Sequence, residues 1–345
     1  MRFLLDPEQR AFADSLHAML TASDTPSVAR DWSRGERASG RALWSRLAEA
    51  GVFGLAVPEA YGGVGPLPVE LAVAFVELGR HAVPGPLVET VAAAALLTAL
   101  DDTGPAKRLL PELASGETTA TLALGSAHVL DADAADVLLT AAPSHGPTRA
   151  ADADSEAPRT AALRLAPPVR SHAPIPSLDP TRRLFPSPTG GELLAAGPQV
   201  AAAVEQALTR ARLATAAQAL GVGLALLDKT VAYVRQRTQF GVPVGSFQAV
   251  KHRLADAAIA LEFARPLVFG AALTRDPADV AAAKLTACEA AYTTARAALQ
   301  LHGAIGYTAE YELSLWLTKA RVLRTVWGGP DACRDLVLSG GDRRW

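Results

Sequence analysis

One stretch, residues 233–248, limits the possible folds more than any other part of the sequence. It reads Tyr-Val-Arg-Gln-Arg-Thr-Gln-Phe-Gly-Val-Pro-Val-Gly-Ser-Phe-Gln. A helix that carries Tyr233 is predicted to end here, because Pro243 and Gly245 favour a turn. A second helix is predicted to begin at Ser246. The chain therefore joins two helices through a short turn.

That turn carries groups suited to a diphosphate. Arg237 has a planar guanidinium that matches paired phosphate oxygens. Phe240 offers an apolar face, and Gly241 lets a backbone approach closely. Gln248 offers an amide early in the second helix. An arginine before a helix–turn–helix is common in proteins, so only the complete string makes this interpretation specific.

A second informative segment lies at residues 300–311. It reads Gln-Leu-His-Gly-Ala-Ile-Gly-Tyr-Thr-Ala-Glu-Tyr. Taken alone, it is a helix that ends at a glycine, as many helices do. His302 stands in the middle of this segment, and the sequence assigns it no role.

Both segments resemble signatures of the acyl-CoA dehydrogenase family. Residues 237–241 match Arg-x-x-Phe-Gly. Residues 300–310 match Gln-x-x-Gly-Gly-x-Gly-Tyr-x-x-Glu, except that Ala304 stands in place of the second glycine. A loop at residues 58–65 resembles the family's Pro-Glu-x-Tyr-Gly-Gly-x-Gly. The first two segments occur in the family's order and at a suitable separation.

The resemblance implies that FAD is the cofactor and that it is bound across a subunit interface. The residues expected to contact FAD are Arg237, Gln239, Phe240, Gln248, Gln300, Gly303 and Ala304. A site completed by another chain implies a homo- or hetero-oligomer.

Residues 1–117 are predicted to form a helical N-terminal domain. Asp6, Pro7 and Gln9 combine an N-cap, a proline at the first helical position and a capping-box glutamine. The Ala-rich run at 90–100 is too short to span a bilayer and is predicted to be a buried helix.

Residues 118–198 are predicted to form a reduced β middle domain. Helical periodicity is lost, and short runs read as strands: Thr118–Leu124, Asp136–Ala141, Thr160–Leu165 and Leu184–Phe185. The polar stretch Pro143–Pro158 is predicted to be a flexible excursion. The family's flavin-contacting loop of the Thr-Glu-Pro-x-x-Gly-Ser-Asp type is missing after Leu124.

Residues 199–345 are predicted to form a C-terminal four-helix bundle that carries the FAD motifs. Gly221 and Gly223 are expected to interrupt its first helix, at points of close helix packing. The predicted helices are Val200–Gln236, Ser246–Thr274, Asp276–Leu301 and further helices through Arg334. The fold class is therefore mostly α with a reduced β middle domain, as the resemblance to acyl-CoA dehydrogenases implies.

The catalytic base expected from the resemblance is missing. Most family members carry it as Glu in a Tyr-Glu-Gly triplet, which here is Val326-Trp327-Gly328. A minority carry it one residue before an arginine in the first C-terminal helix, which here gives Ala211 before Arg212. Neither Trp327 nor Ala211 can accept a proton. The resemblance places Trp327, Gly328 and Arg212 at the substrate site.

Asp331 is the acid nearest to Trp327 in the sequence, four residues further on. It is a weak candidate for a relocated base, because an aspartate at this position is typical of a cap or a surface charge. The catalytic base therefore stays unknown at this stage.

The composition argues against several classes of partner and site. The chain has 33 basic and 35 acidic residues and a net charge of −2, whereas a nucleic-acid-binding protein shows a basic stripe. The two cysteines, Cys288 and Cys333, lie far apart and belong to no CxxC or histidine-rich motif. This argues against a disulfide scaffold and against a zinc site, and we expect no bound metal. The N-terminus lacks the pattern of a secretory signal. We expect a cytoplasmic protein without a membrane span.

The function implied by the resemblance is FAD-linked α,β-dehydrogenation of an acyl-CoA thioester, an oxidoreductase reaction of lipid metabolism. We expect the chain to act as a subunit of a hetero-oligomer that contains a catalytically complete homologue. Two alternatives stay open. The chain is a non-catalytic FAD-binding scaffold subunit, which the missing base and the truncated β domain favour, or it is a repurposed biosynthetic enzyme on the same fold.

Overall fold

The computed structural model describes residues 5–143, 161–169 and 173–340. Contacts divide the chain into two compact units. The first contains the N-terminal segment as far as Asp31, then Pro68–Val83, and the chain from Arg212 onward. The second contains Trp32–Leu67 and Pro84–Ala211. The division into domains at 1–117, 118–198 and 199–345 stays a prediction.

The described residues are mostly helical. The helices are α1 (Pro7–Thr21), α2 (Thr25–Arg34), α3 (Ala38–Glu49), α4 (Pro68–Arg80), α5 (Leu87–Thr98), α6 (Thr103–Ser115), α7 (Pro198–Gln236), α8 (Gln248–Thr274), α9 (Pro277–His302), α10 (Leu313–Leu323) and α11 (Pro330–Ser339). The strands are β1 (Ala120–Leu124), β2 (His128–Leu130), β3 (Val137–Pro143), β4 (Ala161–Leu165), β5 (Leu184–Pro186), β6 (Glu192–Gly197), β7 (Thr238–Gln239) and β8 (Val242–Pro243).

The start of α1 follows from its capping residues. The Asp6 carboxylate accepts from the backbone N–H of Gln9 at 2.8 Å, and the Gln9 side chain accepts from the Asp6 N–H at 3.1 Å. Pro7 occupies the first turn, where its missing N–H costs nothing. The predicted capping box is confirmed.

The first unit is built on long helices that pack closely. Helix α9 packs against α8, α10 and α11, and α4 packs against α1 and α8. A Cβ on Gly221 would collide with the carbonyl oxygen of Val76 on α4, and a Cβ on Gly223 would collide with Leu261 on α8. The expectation of close packing at both glycines is confirmed, but the expected interruption is wrong. Helix α7 runs unbroken over 39 residues. The two glycines make room for the neighbouring helices α4 and α8, and they do not end the helix.

The second unit contains a four-stranded sheet in the order β1-β3-β4-β6. Strands β1 and β3 are parallel, whereas β4 is antiparallel to both β3 and β6. A separate two-stranded ladder pairs β2 with β5. The core of this region is small and apolar, and Phe185 at its centre is fully buried.

The four predicted strand runs are confirmed as β1, β3, β4 and β5 to within a few residues. Strands β2 and β6 and helix α2 were not predicted. Within the expected excursion Pro143–Pro158, all but its first residue lies outside the described residues. The predicted buried helix near Thr90 is confirmed, because α5 buries nearly its whole length.

A buried carboxylate lies in the second unit beside the sheet. Asp131 is fully buried and has a positive φ of 47°. Its Oδ1 atom accepts from the indole N–H of Trp32 at 3.2 Å, while Oδ2 has no hydrogen-bond partner among the described residues. Burial, and secondarily the nearby Glu89 carboxylate, raise the pKa of Asp131 to about 7.

Helix α8 is long and apolar enough, by length and composition alone, to cross a membrane. In its most apolar 18-residue window, 39% of the residues are buried inside the protein. Core helices of globular proteins satisfy the same criteria, so the finding is weak evidence for a membrane span. From the sequence, only the shorter run near Thr90 was considered as a membrane span, and α8 was overlooked.

Candidate functional site

The turn between α7 and α8 is a tight hairpin that displays its side chains. Strands β7 and β8 pair through Thr238 with Pro243 and Gln239 with Val242. The hairpin tip is formed by Phe240 and Gly241, which have positive φ values of 54° and 78°. The Phe240 side chain is 93% exposed. An aromatic ring held in this way is available to an apolar ligand surface.

The other predicted cofactor residues of this turn are also exposed. Arg237 follows the last residue of α7, and its backbone carbonyl accepts from Val244 at 2.7 Å, which closes the hairpin. Gln248 is the first residue of α8. The Gln239 amide donates to its neighbour's carbonyl at 2.8 Å. The turn thus fixes the backbone and leaves the Arg237 and Gln248 side chains facing solvent.

The second segment ends α9 and continues as a 3₁₀ turn, Gly303–Tyr307. Gly303 has φ 65° and ψ −139°, a conformation that glycine adopts far more readily than other residues. Gln300 and Ala304 are exposed, and Tyr307 is 77% exposed. The predicted FAD residues of this segment therefore also lie at the surface of the first unit.

The two segments are joined by His302 and Tyr233. Their rings stack at 4.2 Å between centroids, and the Tyr233 hydroxyl donates to the His302 carbonyl oxygen at 3.3 Å. The His302 Nδ1 atom lies 2.8 Å from the Ala298 carbonyl, while Nε2 is buried without a partner among the described residues. Burial lowers the pKa of His302, so the neutral ring suits this stack. His302 positions both segments, a role that the sequence did not reveal.

The predicted substrate-site residues form one cluster. The Arg212 Nε atom donates to the carbonyl oxygen of Trp327 at 3.0 Å. Trp327 and Gly328 both have positive φ values, 58° and 108°, so the chain turns sharply there. The indole N–H of Trp327 is buried without a partner among the described residues. Ala211, the other expected base position, precedes Arg212 on α7 and is fully buried.

Lys284 is a further member of this cluster that sequence reasoning missed. Its side chain is only 1% exposed, and its Nζ atom donates to the Gly328 carbonyl at 2.7 Å. A buried ammonium needs such acceptors, since desolvation of an unpaired charge is costly. The available signal was a lone lysine on α9 among alanines that face the core. Lys284 and Arg212 together fix the turn at 327–328.

Two carboxylates flank this turn, and an arginine holds each of them. Asp331 has a 95% exposed side chain and pairs with Arg334 at 2.6 Å. Glu289 on α9 pairs with Arg324 at 2.6 Å. Glu310 and Glu312 belong to the segment after the glycine turn, and Glu312 pairs with Lys229 at 2.7 Å. An exposed carboxylate in an ion pair is typical of surface charge.

Comparison with solved structures defines the class of protein. The fold matches that of the solved structure titled "Tcur3481-Tcur3483 steroid ACAD G363A variant" with a TM-score of 0.81 and 26% identity, over 97% of this chain and 99% of that chain. Residues 6–117 match the model "Acyl-CoA dehydrogenase, N-terminal domain", and residues 201–338 match "Acyl-CoA dehydrogenase, C-terminal domain".

Curated relatives extend this match across nearly the whole chain. Acyl-CoA dehydrogenase IpdE2 of Mycobacterium tuberculosis is 34% identical over 318 residues, which cover 91% of each chain. (2S)-methylsuccinyl-CoA dehydrogenase of Cereibacter sphaeroides is 30% identical over 386 aligned positions, which cover 96% of this chain and 69% of that protein. The chain belongs to the acyl-CoA dehydrogenase family, whose members are FAD-containing oxidoreductases of lipid metabolism. The resemblance seen in its sequence motifs is confirmed.

The exposed residues fit FAD, the cofactor of this family. The Arg237 guanidinium has no hydrogen bond or ion pair to other described residues, as suits a group reserved for phosphate. A Cβ at Gly241 or Gly303 would meet nothing within 4 Å, so both turns are open to a ligand. Phe240 and Tyr307 add apolar surface beside them. Which residues contact the cofactor stays a prediction.

Proposed function

We propose that this chain is a cofactor-contributing subunit of a hetero-oligomeric acyl-CoA dehydrogenase, in which a catalytically complete homologue supplies the base. The assembly would carry out α,β-dehydrogenation of an acyl-CoA thioester, with bound FAD as the hydride acceptor. The observation that carries the proposal is the contact between Arg212 and Trp327 at 3.0 Å. By the family resemblance, Trp327 stands where a carboxylate is expected, and neither Trp327 nor Arg212 can accept a proton.

The chemistry requires a base because the α-proton of a thioester is weakly acidic. A positioned general base contributes about 10²–10⁴-fold to such a reaction. The indole nitrogen of Trp327 is a donor only, and Ala211 has no polar atom. The carboxylates of Asp331 and Glu289 are each held by an arginine partner. A partner subunit with an intact base would supply the general base that this chain lacks.

The surface of α8 supports an obligatory partner. The exposed side chains Ile259, Phe263 and Leu267 recur at four-residue spacing, so they form one stripe on the helix. Phe263 is 70% exposed and Leu273 is 56% exposed. At 100° per residue, Gln248 and Leu273 fall on the same face as this stripe. A subunit that covers the stripe therefore reaches a predicted FAD residue.

The relatives support two parts of the proposal, the acyl-CoA substrate and the second subunit. The name (2S)-methylsuccinyl-CoA dehydrogenase describes a protein that acts on an acyl-CoA thioester, and this chain aligns with it over 96% of its length. The steroid ACAD neighbour has a title that joins two gene products, Tcur3481 and Tcur3483. A second, different subunit is what a chain without its own base needs. The cytoplasmic location predicted from the sequence stays a proposal.

The test compares the chain alone with the chain co-expressed with a neighbouring gene for a homologue with an intact base. Flavin content is measured from visible absorbance, and turnover from dye reduction with a panel of acyl-CoA thioesters. We expect near-background turnover from the chain alone and robust turnover from the complex. Replacing the partner's catalytic glutamate with glutamine is the matched control and should abolish turnover. Robust turnover by the chain alone, lost in Asp331→Asn, would overturn the proposal.

A further inference from the structure

Three metal-ligating side chains converge in the first unit, away from the predicted FAD and substrate residues. His17 lies on α1, and Glu77 and His81 lie four residues apart at the end of α4. The Nδ1 atom of His17 is 3.0 Å from Oε2 of Glu77 and 3.1 Å from Nε2 of His81. One ligand atom from each residue lies within 4.8 Å of the others.

Hydrogen bonding alone does not account for this arrangement. A carboxylate oxygen only accepts, and a neutral imidazole nitrogen either donates or accepts. A single proton on His17 Nδ1 therefore serves Glu77 or His81, but not both. A cation among the three atoms would be an alternative partner for all of them.

The helices hold the ligands in place. Glu77 is 7% exposed on the buried face of α4. His81 continues the helical pattern, because its N–H donates to the Glu77 carbonyl at 3.1 Å. Residues four apart on a helix share one face, so Glu77 and His81 both meet α1 there. Helices α1 and α4 pack directly against each other, and His17 crosses this contact.

The ligand set indicates the metal. Two imidazoles and one carboxylate are a donor set that zinc adopts with a fourth position left for water. Ligand atoms bound at about 2.0–2.1 Å in a tetrahedral site lie about 3.3 Å apart. The two His17 contacts are close to this spacing, whereas the cluster as a whole extends to 4.8 Å, so its widest pair would have to move closer around an ion. Mg²⁺ and Ca²⁺ prefer sites made entirely of oxygen. Imidazole therefore favours Zn²⁺ over the alkaline-earth ions.

The cluster is open on one side. It borders a surface pocket of about 320 Å³, whose polar lining includes Asp24, Arg80 and Asp228. Arg80 pairs with Asp228 at 2.6 Å, so an acidic partner offsets its charge near the cluster. The His17 side chain is 52% exposed and leaves a route for an ion from solvent.

We propose that His17, Glu77 and His81 form a Zn²⁺ site that cross-links α1 to α4 and keeps its fourth coordination position open to the pocket. The site is independent of the proposed dehydrogenase role. It would hold the N-terminal helix in place and lend stability that depends on zinc.

The test uses the full chain, stripped of metal with a chelator and titrated with ZnCl₂ by calorimetry. We expect one Zn²⁺ per chain and a rise in melting temperature on addition of the ion. His17→Ala should weaken binding by about 10–100-fold or more, since even outer-shell changes have that effect. His17 is half-exposed, so this variant should fold. Glu77→Gln, which keeps the side-chain shape, should weaken binding in the same range.

His128→Ala is the matched control, because His128 is an exposed histidine in the second unit. It should bind Zn²⁺ as the wild-type chain does. Circular dichroism of each metal-free variant separates a lost ligand from a lost fold. The proposal would be overturned by the absence of saturable binding to the wild-type chain. Equal affinity in His17→Ala, Glu77→Gln and wild type would also overturn it and would indicate adventitious zinc only.

Discussion

The guanidinium of Arg212 donates to the backbone carbonyl of Trp327 at 3.0 Å. This contact joins the C-terminal turn to the helix that carries Ala211, the residue before Arg212. Ala211 and Trp327 are the two positions at which the family resemblance leads us to expect a base. Lys284 anchors the next carbonyl, that of Gly328, at 2.7 Å. Two buried or half-buried cations thus fix the turn at 327–328.

Restoring a carboxylate at position 327 should restore part of the reaction. Trp327→Glu should raise acyl-CoA-dependent dye reduction by about 10²–10⁴-fold over the wild-type chain, the usual contribution of a general base. Loss of the partly buried indole should also lower the free energy of unfolding. Trp327→Gln is the control and should stay at background. Equal rates in the two variants would show that this position cannot host the base.

Ala211 is the poorer place for a new base. It is fully buried, so a glutamate there would be desolvated and crowded by its neighbours. We expect Ala211→Glu to destabilise the protein rather than activate it. Chemical denaturation of Ala211→Glu and Ala211→Ser separates the added charge from the added volume.

Arg237→Ala should weaken flavin retention. Its guanidinium is expected to bind the FAD diphosphate, and a charge-assisted hydrogen bond contributes roughly 1.5–3 kcal/mol. The Kd for FAD in the assembled protein should rise about 10- to 150-fold. Arg235→Ala, two residues earlier, is the control and should leave flavin content unchanged. Flavin content in Arg237→Ala that matches wild type would remove Arg237 from the cofactor site.

Loss of the stack between Tyr233 and His302 should loosen both FAD-binding segments together. An aromatic pair contributes about 0.5–1.5 kcal/mol beyond its buried area, so Tyr233→Ala should weaken FAD binding by about 2- to 10-fold. Tyr233→Phe keeps the ring and serves as the control. Flavin fluorescence titrations of the two variants give the comparison. If both variants bind FAD like wild type, the stack does not position the segments.

Local sequence signals predicted much of the fold. The capping box at Asp6 and the short β-like runs of β1 and β3 are set by neighbouring residues, and both were predicted. Strand β6 was missed because Glu192–Gly197 lacks β-branched and aromatic residues. The parallel pairing of β1 with β3 depends on contacts outside either strand.

The site was predicted less completely, because its supporting residues act at long range. The motifs drew attention to Arg237 and Gln300, but Lys284 and His302 acquire their roles from residues far away in sequence. The stripe on α8 has the spacing of a core face, so the sequence could not show that Phe263 is exposed. Exposure depends on which surface a neighbouring subunit covers.

Asp131 should make stability depend on pH. Its carboxyl has a raised pKa, from 3.8 to about 7, chiefly through burial. Below the unfolded pKa, this carboxyl is protonated in both the folded and the unfolded state, and the protein keeps its full stability. As the pH rises toward the folded pKa, the buried carboxyl costs more and more to keep, and that stability is lost. Asp131→Asn should therefore raise the free energy of unfolding at pH 8 by on the order of a few kcal/mol and have little effect at pH 4.

Asparagine suits this position because it tolerates the positive φ of residue 131 and can still accept from Trp32. Urea denaturation between pH 4 and pH 8 gives the measurement. Asp101→Asn changes an exposed carboxylate and is the control, with no such gain. A gain that is equal at both pH values would mean that the charge of Asp131 is not the cause.

The exposed face of α8 should hold the assembly together. A charge in the middle of an apolar interface must be desolvated without a partner, which disfavours association strongly. Phe263→Glu should therefore convert the oligomer to monomers in sedimentation velocity and reduce flavin content, since Gln248 lies on the same face. Arg253→Glu, at an exposed position about 80° from Phe263 around the same helix, should leave the oligomer intact. A wild-type chain that sediments as a stable monomer with one FAD per chain would refute both the interface and the shared cofactor site. An oligomer that survives Phe263→Glu with its flavin would place the interface on another surface.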